Sequence, residues 1–147
     1  FDGGTVLDLY AGSGANGLEA LSRGYDYAVF ADISKDAIQV ICKNIESLRC
    51  KEKTKALHMP DKKALSLLKA EGLRFDLVYL DPPYAGQRNN EILEYLQENN
   101  MITDCGVVVI ESAKEDEFKK EFGSLKPYKE ATYGITRITY YRNEVEG

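Results

Sequence analysis

Val6-Leu7-Asp8-Leu9-Tyr10-Ala11-Gly12-Ser13-Gly14 sets the fold of this chain. The apolar run reads as a buried strand, Thr5–Tyr10, and the glycines after it as a tight loop. A helix over Ala15–Arg23 follows, with Leu18, Ala20 and Leu21 on its apolar side. Outward from this unit the pattern repeats. Further strands are expected at Tyr27–Asp32, Thr54–His58 (weaker), Asp76–Leu80 and Gly106–Glu111, the last with Val107 to Ile110 buried on both faces. Between them, Ser34 reads as the N-cap of a helix through Leu48, with Ala37, Ile38, Ile41, Ile45 and Leu48 at helical spacing. A helix capped by Asp61 or a neighbour runs to about Ala70 and stops at Gly72; others are expected at Asn89–Glu98 and Glu115–Phe122. Tyr128–Tyr133 and Ile135–Tyr141 flank Gly134 as a terminal hairpin. Repeated βαβ units predict an α/β fold, a Rossmann-like, mostly parallel sheet with helices on both faces and a C-terminal antiparallel hairpin.

The 147 residues fit one domain, 1–147, without repeats, low-complexity tracts or linkers. No apolar run approaches the ~20 residues that cross a bilayer. The chain starts abruptly at Phe1 without a signal-peptide pattern, so a cytoplasmic protein whose native N-terminal segment is missing is expected. Three irregularly spaced cysteines, Cys42, Cys50 and Cys105, suit a reducing compartment, and the apolar surroundings of Cys42 and Cys105 predict core positions. His58 is the only histidine and no metal-ligand spacing appears, so no metal is expected. The net charge of −5 lacks the basic footprint of a self-sufficient nucleic-acid binder. It is compatible with a catalytic core whose basic part lies elsewhere.

Gly12, Gly14 and Gly17 satisfy G-x-G-x-x-G, and Asp32 lies 20 residues after Gly12, as in dinucleotide sites. Asp8 separates two ligands. Its charge would repel a pyrophosphate but suits the ammonium and sulfonium of S-adenosylmethionine, whose ribose hydroxyls Asp32 can accept. Tyr10 belongs to the same loop. The bland alternatives are that Asp8 caps the first helix through a loop amide and that Asp32 is an exposed capping acid. In Pro60-Asp61-Lys62, Asp61 can accept from adenine N6 and an adjoining amide can donate to N1; a helix N-cap is the equal alternative for Asp61. Ile33 can cover the adenine face or be simple core, and His58 reads as a strand-end residue.

Asp81-Pro82-Pro83-Tyr84 follows the strand ending at Leu80, where open α/β sheets bind ligands. Two prolines remove two backbone donors and leave carbonyls as acceptors. An acid, a free carbonyl and an aromatic face suit a flat ring with an exocyclic amine. The Asp81 carboxylate and the Pro82 carbonyl can bind its two N–H groups and free the lone pair, Asp81 also stabilising the developing positive charge. Tyr84 would stack on the base, which must be unpaired or flipped out. The plain alternative is that Pro82-Pro83 merely ends a strand.

Val6 to Gly14, then Gly17-Leu18-Glu19-Ala20-Leu21-Ser22-Arg23-Gly24, then Asp81-Pro82-Pro83-Tyr84, resemble the RsmD-type 16S ribosomal RNA guanine-N2 methyltransferases. The likeness spans nearly the whole chain and includes Asn44, Glu111 and Tyr133-Gly134. It implies a seven-stranded class I methyltransferase fold, a donor site of Asp8, Gly12, Gly14, Asp32 and Asp61, and a base site at Asp81 to Tyr84. It also implies 16S RNA or the assembling small subunit as partner; the protein is expected to be a monomer. Asp32 stands where the family often has Glu. A basic N-terminal segment that family members carry would precede Phe1. The competing readings are a DNA adenine-N6 or cytosine-N4 methyltransferase, a non-catalytic binding module of the same fold, and a nicotinamide oxidoreductase, which Asp8 disfavours.

Overall fold

In a computed structural model the described residues are 3–81, 87–113 and 121–145. They form two compact units, Phe1–Leu73 and Arg74–Gly147. The first contains β1 (Thr5–Leu9), α1 (Ala15–Ser22), β2 (Tyr27–Asp32), α2 (Lys35–Ser47), β3 (Thr54–His58) and α3 (Asp61–Ala70). The strands lie in the order β3-β2-β1, all parallel. Val6 to Leu9 and Ala28 to Ala31 are buried residue after residue, so both faces of β1 and β2 are covered. Such strands are continuously apolar rather than alternating. Ser34 caps α2 as expected, its Oγ accepting from the Ala37 amide at 3.2 Å. Gly72 follows α3 at φ 75°, a left-handed stop.

The second unit contains β4 (Phe75–Leu80), α4 (Gln87–Glu98), β5 (Ile102–Ala113), β6 (Leu125–Tyr133) and β7 (Thr136–Asn143). β4 and β5 are parallel, β7 runs antiparallel to β5, and β6 antiparallel to β7. Ile92, Leu93 and Leu96 bury one face of α4.

Several expectations are corrected. β5 begins at Ile102, not Gly106, because the chain pairs at Phe75↔Ile102 and then shifts register before Leu77↔Val107. Val107 and Val109 are half-buried; only Val108 and Ile110 are fully buried, so one face of β5 is partly open. Cys42 and Cys105 are exposed: Cys42 lies beside, not beneath, the Ile41–Ile45 stripe of α2, and Cys105 sits at a left-handed bend with φ 66°. Of the helix expected at Glu115–Phe122, residues 114–120 lie outside the described residues; Phe122 pairs with Leu125 in an isolated bridge.

Candidate active site

The loop between β1 and α1 is held by carboxylates. Asp8 is 2% exposed, and its Oδ2 accepts the Gly17 amide at 3.0 Å. That amide belongs to the first turn of α1 and has no partner within the helix. Asp8 thus ties the end of β1 to the first turn of α1. Asp32 accepts the Gly12 amide at 2.9 Å and the Ser34 amide at 2.8 Å, tying the loop to the end of β2. Asn44 of α2 braces the same loop, donating from Nδ2 to the Ser13 carbonyl at 3.1 Å.

The glycines divide by environment. A Cβ at Gly17 would fall 2.4 Å from Cε1 of the buried Phe30, and one at Gly14 3.2 Å from Ile41. A Cβ at Gly12, at φ 58°, would meet nothing within 4 Å. Gly17 and Gly14 thus let α1 pack closely, whereas Gly12 presents bare backbone to open space.

Asp61 is 6% exposed and is the first residue of α3; the cap position is Pro60, without a side-chain cap. The Asp61 carboxylate accepts the Tyr10 hydroxyl, and its Oδ1 accepts the Lys62 amide at 2.7 Å. Tyr10 and Asp61, 51 residues apart, are thereby joined. Ile33 is 72% exposed, which excludes the core reading and leaves an apolar surface beside Asp32. His58 Nε2 lies 3.0 Å from the Ile33 carbonyl, a role of positioning at the strand end. Lys62 presents an exposed side chain.

In the second unit, β4 and β5 end together. Leu80 pairs with Ile110, so the next residues on the two parallel strands are Asp81 and Glu111. Both residues are exposed. Partial withdrawal of the Asp81 carboxyl from water nonetheless raises its pKa above the ordinary aspartate value. Glu111 is raised as well, first by desolvation and then by the charge of Asp81. Among the described residues neither carboxylate has a hydrogen-bond or ion-pair partner. Pro82, Pro83 and Tyr84 lie outside the described residues.

Residues 1–142 match the model of the family described as "Conserved hypothetical protein 95", the RsmD-type methyltransferases. The chain belongs to this family. Among the relatives of this RsmD-type chain is a Bacillus subtilis protein named "Putative rRNA methyltransferase YlbH", 34% identical over 97% of the chain and 77% of that protein. The Haemophilus influenzae "Ribosomal RNA small subunit methyltransferase D" is 31% identical over 93% of the chain and 70% of its own length. A solved Streptococcus pyogenes structure, described as a conserved hypothetical protein, superposes with a TM-score of 0.90 at 39% identity, covering 98% of this chain and 88% of that one. The seven-stranded, mixed α/β fold expected from the sequence is thus the fold of this RsmD-type chain.

Asp8, Tyr10, Gly12, Gly14, Asp32, Ile33, Asp61 and Lys62 all fall in the first unit, around the ends of β1, β2 and β3. Asn44 and Glu111 enter the sequence reading only through the family likeness, without a role. The contact of Asn44 with Ser13 carries no local signal. Glu111 stands out only once the β4–β5 register is known. No helix among the described residues is long and apolar enough to cross a membrane.

Proposed function

We propose that this chain transfers the methyl group of S-adenosylmethionine to the exocyclic N2 amine of a guanine in 16S ribosomal RNA. The reading rests on one observation above all. In a chain of a methyltransferase family, the amide-bonded glycine loop is accompanied by a carboxylate at the carboxyl end of β4, Asp81, that has no partner among the described residues.

The loop residues fit the donor. Gly12 faces open space, Ile33 offers an exposed apolar surface for a purine, and Asp32 keeps acceptor capacity beyond its two amide bonds. Asp61 supplies an acceptor of the kind the adenine amine needs, at the start of α3, where the Lys62 amide already donates to its Oδ1. Asp8, bonded behind the loop, contributes negative charge that favours a sulfonium over a pyrophosphate. Bound there, the donor supplies a methyl group: as the N2–C bond forms from the nitrogen lone pair, the C–S bond breaks and its pair returns to sulfur.

The remaining chemistry belongs to Asp81. Its carboxylate accepts an N2–H, weakens conjugation of the lone pair with the ring and offsets the positive charge that develops on nitrogen. A raised proton affinity suits it to take the N2 proton after transfer and pass it to water. The Pro82 carbonyl and Tyr84 are proposed for the second N–H and for stacking on the base.

RNA binding has support that the net charge conceals. On β6 and β7, Lys126 pairs with Arg142 and Lys129 with Tyr140. The Arg142 guanidinium sits 4.1 Å from the centre of the Tyr128 ring, Lys129 Nζ lies 5.1 Å from that of Tyr140, and the two rings are 6.2 Å apart. Cations interleaved with aromatics suit a single-stranded nucleic acid. The proposed partner is free 16S RNA or the assembling small subunit in the cytoplasm.

The test is tritiated methyl transfer to unmodified 16S RNA and to small-subunit particles, followed by nucleoside analysis. N2-methylguanosine is the expected product, lost in Asp81→Ala with donor binding retained. N6-methyladenosine, N4-methylcytosine or the absence of transfer would overturn the reading.

A further inference from the structure

We propose that Glu111 selects guanine over the other amino-bearing bases by accepting its N1–H while Asp81 takes the neighbouring N2 amine. This rests on the assignment of Asp81 as the amine-binding residue and extends it to the choice of base.

The geometry comes from strand register. Leu80↔Ile110 is the last pair between β4 and β5, so Asp81 and Glu111 stand side by side at the carboxyl edge. Parallel neighbours are about 4.8 Å apart at the backbone, which lets two side chains converge on one planar edge. β5 holds Glu111 firmly, because its other side is paired in turn with β7 at Glu111↔Ile138.

The chemistry of base edges makes a second carboxylate informative. In guanine the ring nitrogen beside the amine carries a hydrogen and donates. In adenine and cytosine the corresponding nitrogen is an acceptor. An amine-binding site alone fits all three. A second acceptor beside Asp81 fits the donor–donor edge of guanine and sets a lone pair against a lone pair in the other two. A site built to bind an N–H discriminates strongly against an analogue lacking it.

A purely structural role explains Glu111 poorly. Side-by-side like charges on neighbouring strands are destabilising. Among the described residues no cation or donor relieves this pair. Desolvation and the Asp81 charge raise the proton affinity of Glu111, which strengthens it as an acceptor. Two N–H groups of one base edge would satisfy both acids together.

The experiment uses the whole chain and an RNA oligonucleotide spanning the guanine methylated in the transfer assay. The target carries either guanine or 2-aminopurine, which keeps the N2 amine but has an acceptor at N1. Initial rates on both are compared for the wild type, Glu111→Gln and Glu111→Asp, with binding of S-adenosylhomocysteine as the folding control. The wild type is expected to prefer guanine by about tenfold or more. Glu111→Gln, whose amide can donate to a ring acceptor, is expected to lower that ratio at least about tenfold; Glu111→Asp should retain it at reduced rate. Because 2-aminopurine lacks O6 in every case, only the change of ratio between variants reports on N1. An unchanged ratio in Glu111→Gln, or equal loss of both rates, overturns the role of Glu111 and leaves the guanine-N2 reading standing. A wild type that methylates no guanine overturns both.

Discussion

Gly17 and Gly12 sit in one loop, and replacing each with alanine should damage different properties. At Gly17 the added Cβ would lie 2.4 Å from Phe30 Cε1 and 2.8 Å from Cζ. An ordinary contact begins near 3.4 Å, so α1 or the ring must move by about 1 Å. Phe30 is 0% exposed and has little room to yield. Overpacking of this kind costs ~1–3 kcal/mol. A shift of α1 also stretches the 3.0 Å bond from the Gly17 amide to buried Asp8. Losing a hydrogen bond to a charged group adds ~1.5–3 kcal/mol. At ~2–4 °C per kcal/mol for a domain of this size, Gly17→Ala should lower Tm by roughly 5–24 °C. Gly12→Ala meets no neighbour and carries only the left-handed penalty of ~1–2 kcal/mol. It fills the space where the donor is expected. S-adenosylhomocysteine at 100 times its Kd should stabilise the wild type by ~2.7 kcal/mol; a tenfold weaker Kd in Gly12→Ala would leave ~1.4 kcal/mol. Differential scanning calorimetry with and without S-adenosylhomocysteine reads both. A Gly17→Ala Tm within about 2 °C of wild type would refute the Phe30 wall. A full ligand-induced shift in Gly12→Ala would show that the open face of the loop is not the donor's.

Three further outcomes follow from other parts of the structure. Asp32→Ala removes acceptors of the Gly12 and Ser34 amides, so S-adenosylhomocysteine affinity measured by calorimetric titration should fall at least about tenfold; unchanged affinity would remove Asp32 from the site. Glu111→Gln should raise Tm at neutral pH by roughly 0.5–3 °C, because an exposed like-charge pair costs ~0.2–1 kcal/mol. The sign follows from linkage: an acid with a raised folded-state pKa binds its proton more tightly when folded, so the wild type loses stability as pH rises from the unfolded glutamate pKa through the folded one. The advantage of the variant should therefore be full above that window and vanish below it; an advantage persisting at lower pH would point to another cause. Lys129→Glu with Arg142→Glu should weaken RNA binding and flatten its salt dependence, by about one unit of slope for each phosphate no longer neutralised, without changing binding of S-adenosylhomocysteine. An unaltered salt slope would show that the β6–β7 surface does not touch RNA.

The order of elements was legible because two periodicities alternate cleanly. Ser34 before Lys35–Ser47, and Gly72 after Ala70, end their helices by chemistry that can be read locally. β5 was read too short because Thr103-Asp104-Cys105 interrupts the apolar run, and a register shift of this kind is not encoded in hydrophobicity. The cysteines were misplaced because apolar neighbours in sequence do not say which face a residue takes: Cys42 follows buried Ile41 and is itself exposed. The amide partner of Asp8 is not readable from the sequence, because it depends on where α1 starts. Helix formation from Ala15 leaves the Gly17 amide unpaired and within reach. The cationic surface was hidden for a different reason. Lys126, Lys129 and Arg142 are scattered over 17 positions and gather only when β6 folds back on β7.

In a chain with 24 acids, carboxylates by themselves say little about function. Their partners say more. Asp8, Asp32 and Asp61 accept from backbone amides, and Asp61 also from the Tyr10 hydroxyl, so each holds a piece of the loop in place. Those bonds would be retained for folding alone. Asp81 and Glu111 differ: neither has a partner among the described residues, and burial raises the pKa of both. Folding alone would favour replacing one of them, since the pair repels and a neutral residue at either position would relieve it. Acceptors that are adjacent and have no protein partner among the described residues are suited to N–H groups brought by a ligand. The same repulsion that destabilises the free protein is relieved when a base edge donates to both, so part of the discrimination between bases would come from strain already present in the free protein. The proposed amine binding by Asp81 and base selection by Glu111 would in that sense be one device, and the guanine to 2-aminopurine ratio tests it directly.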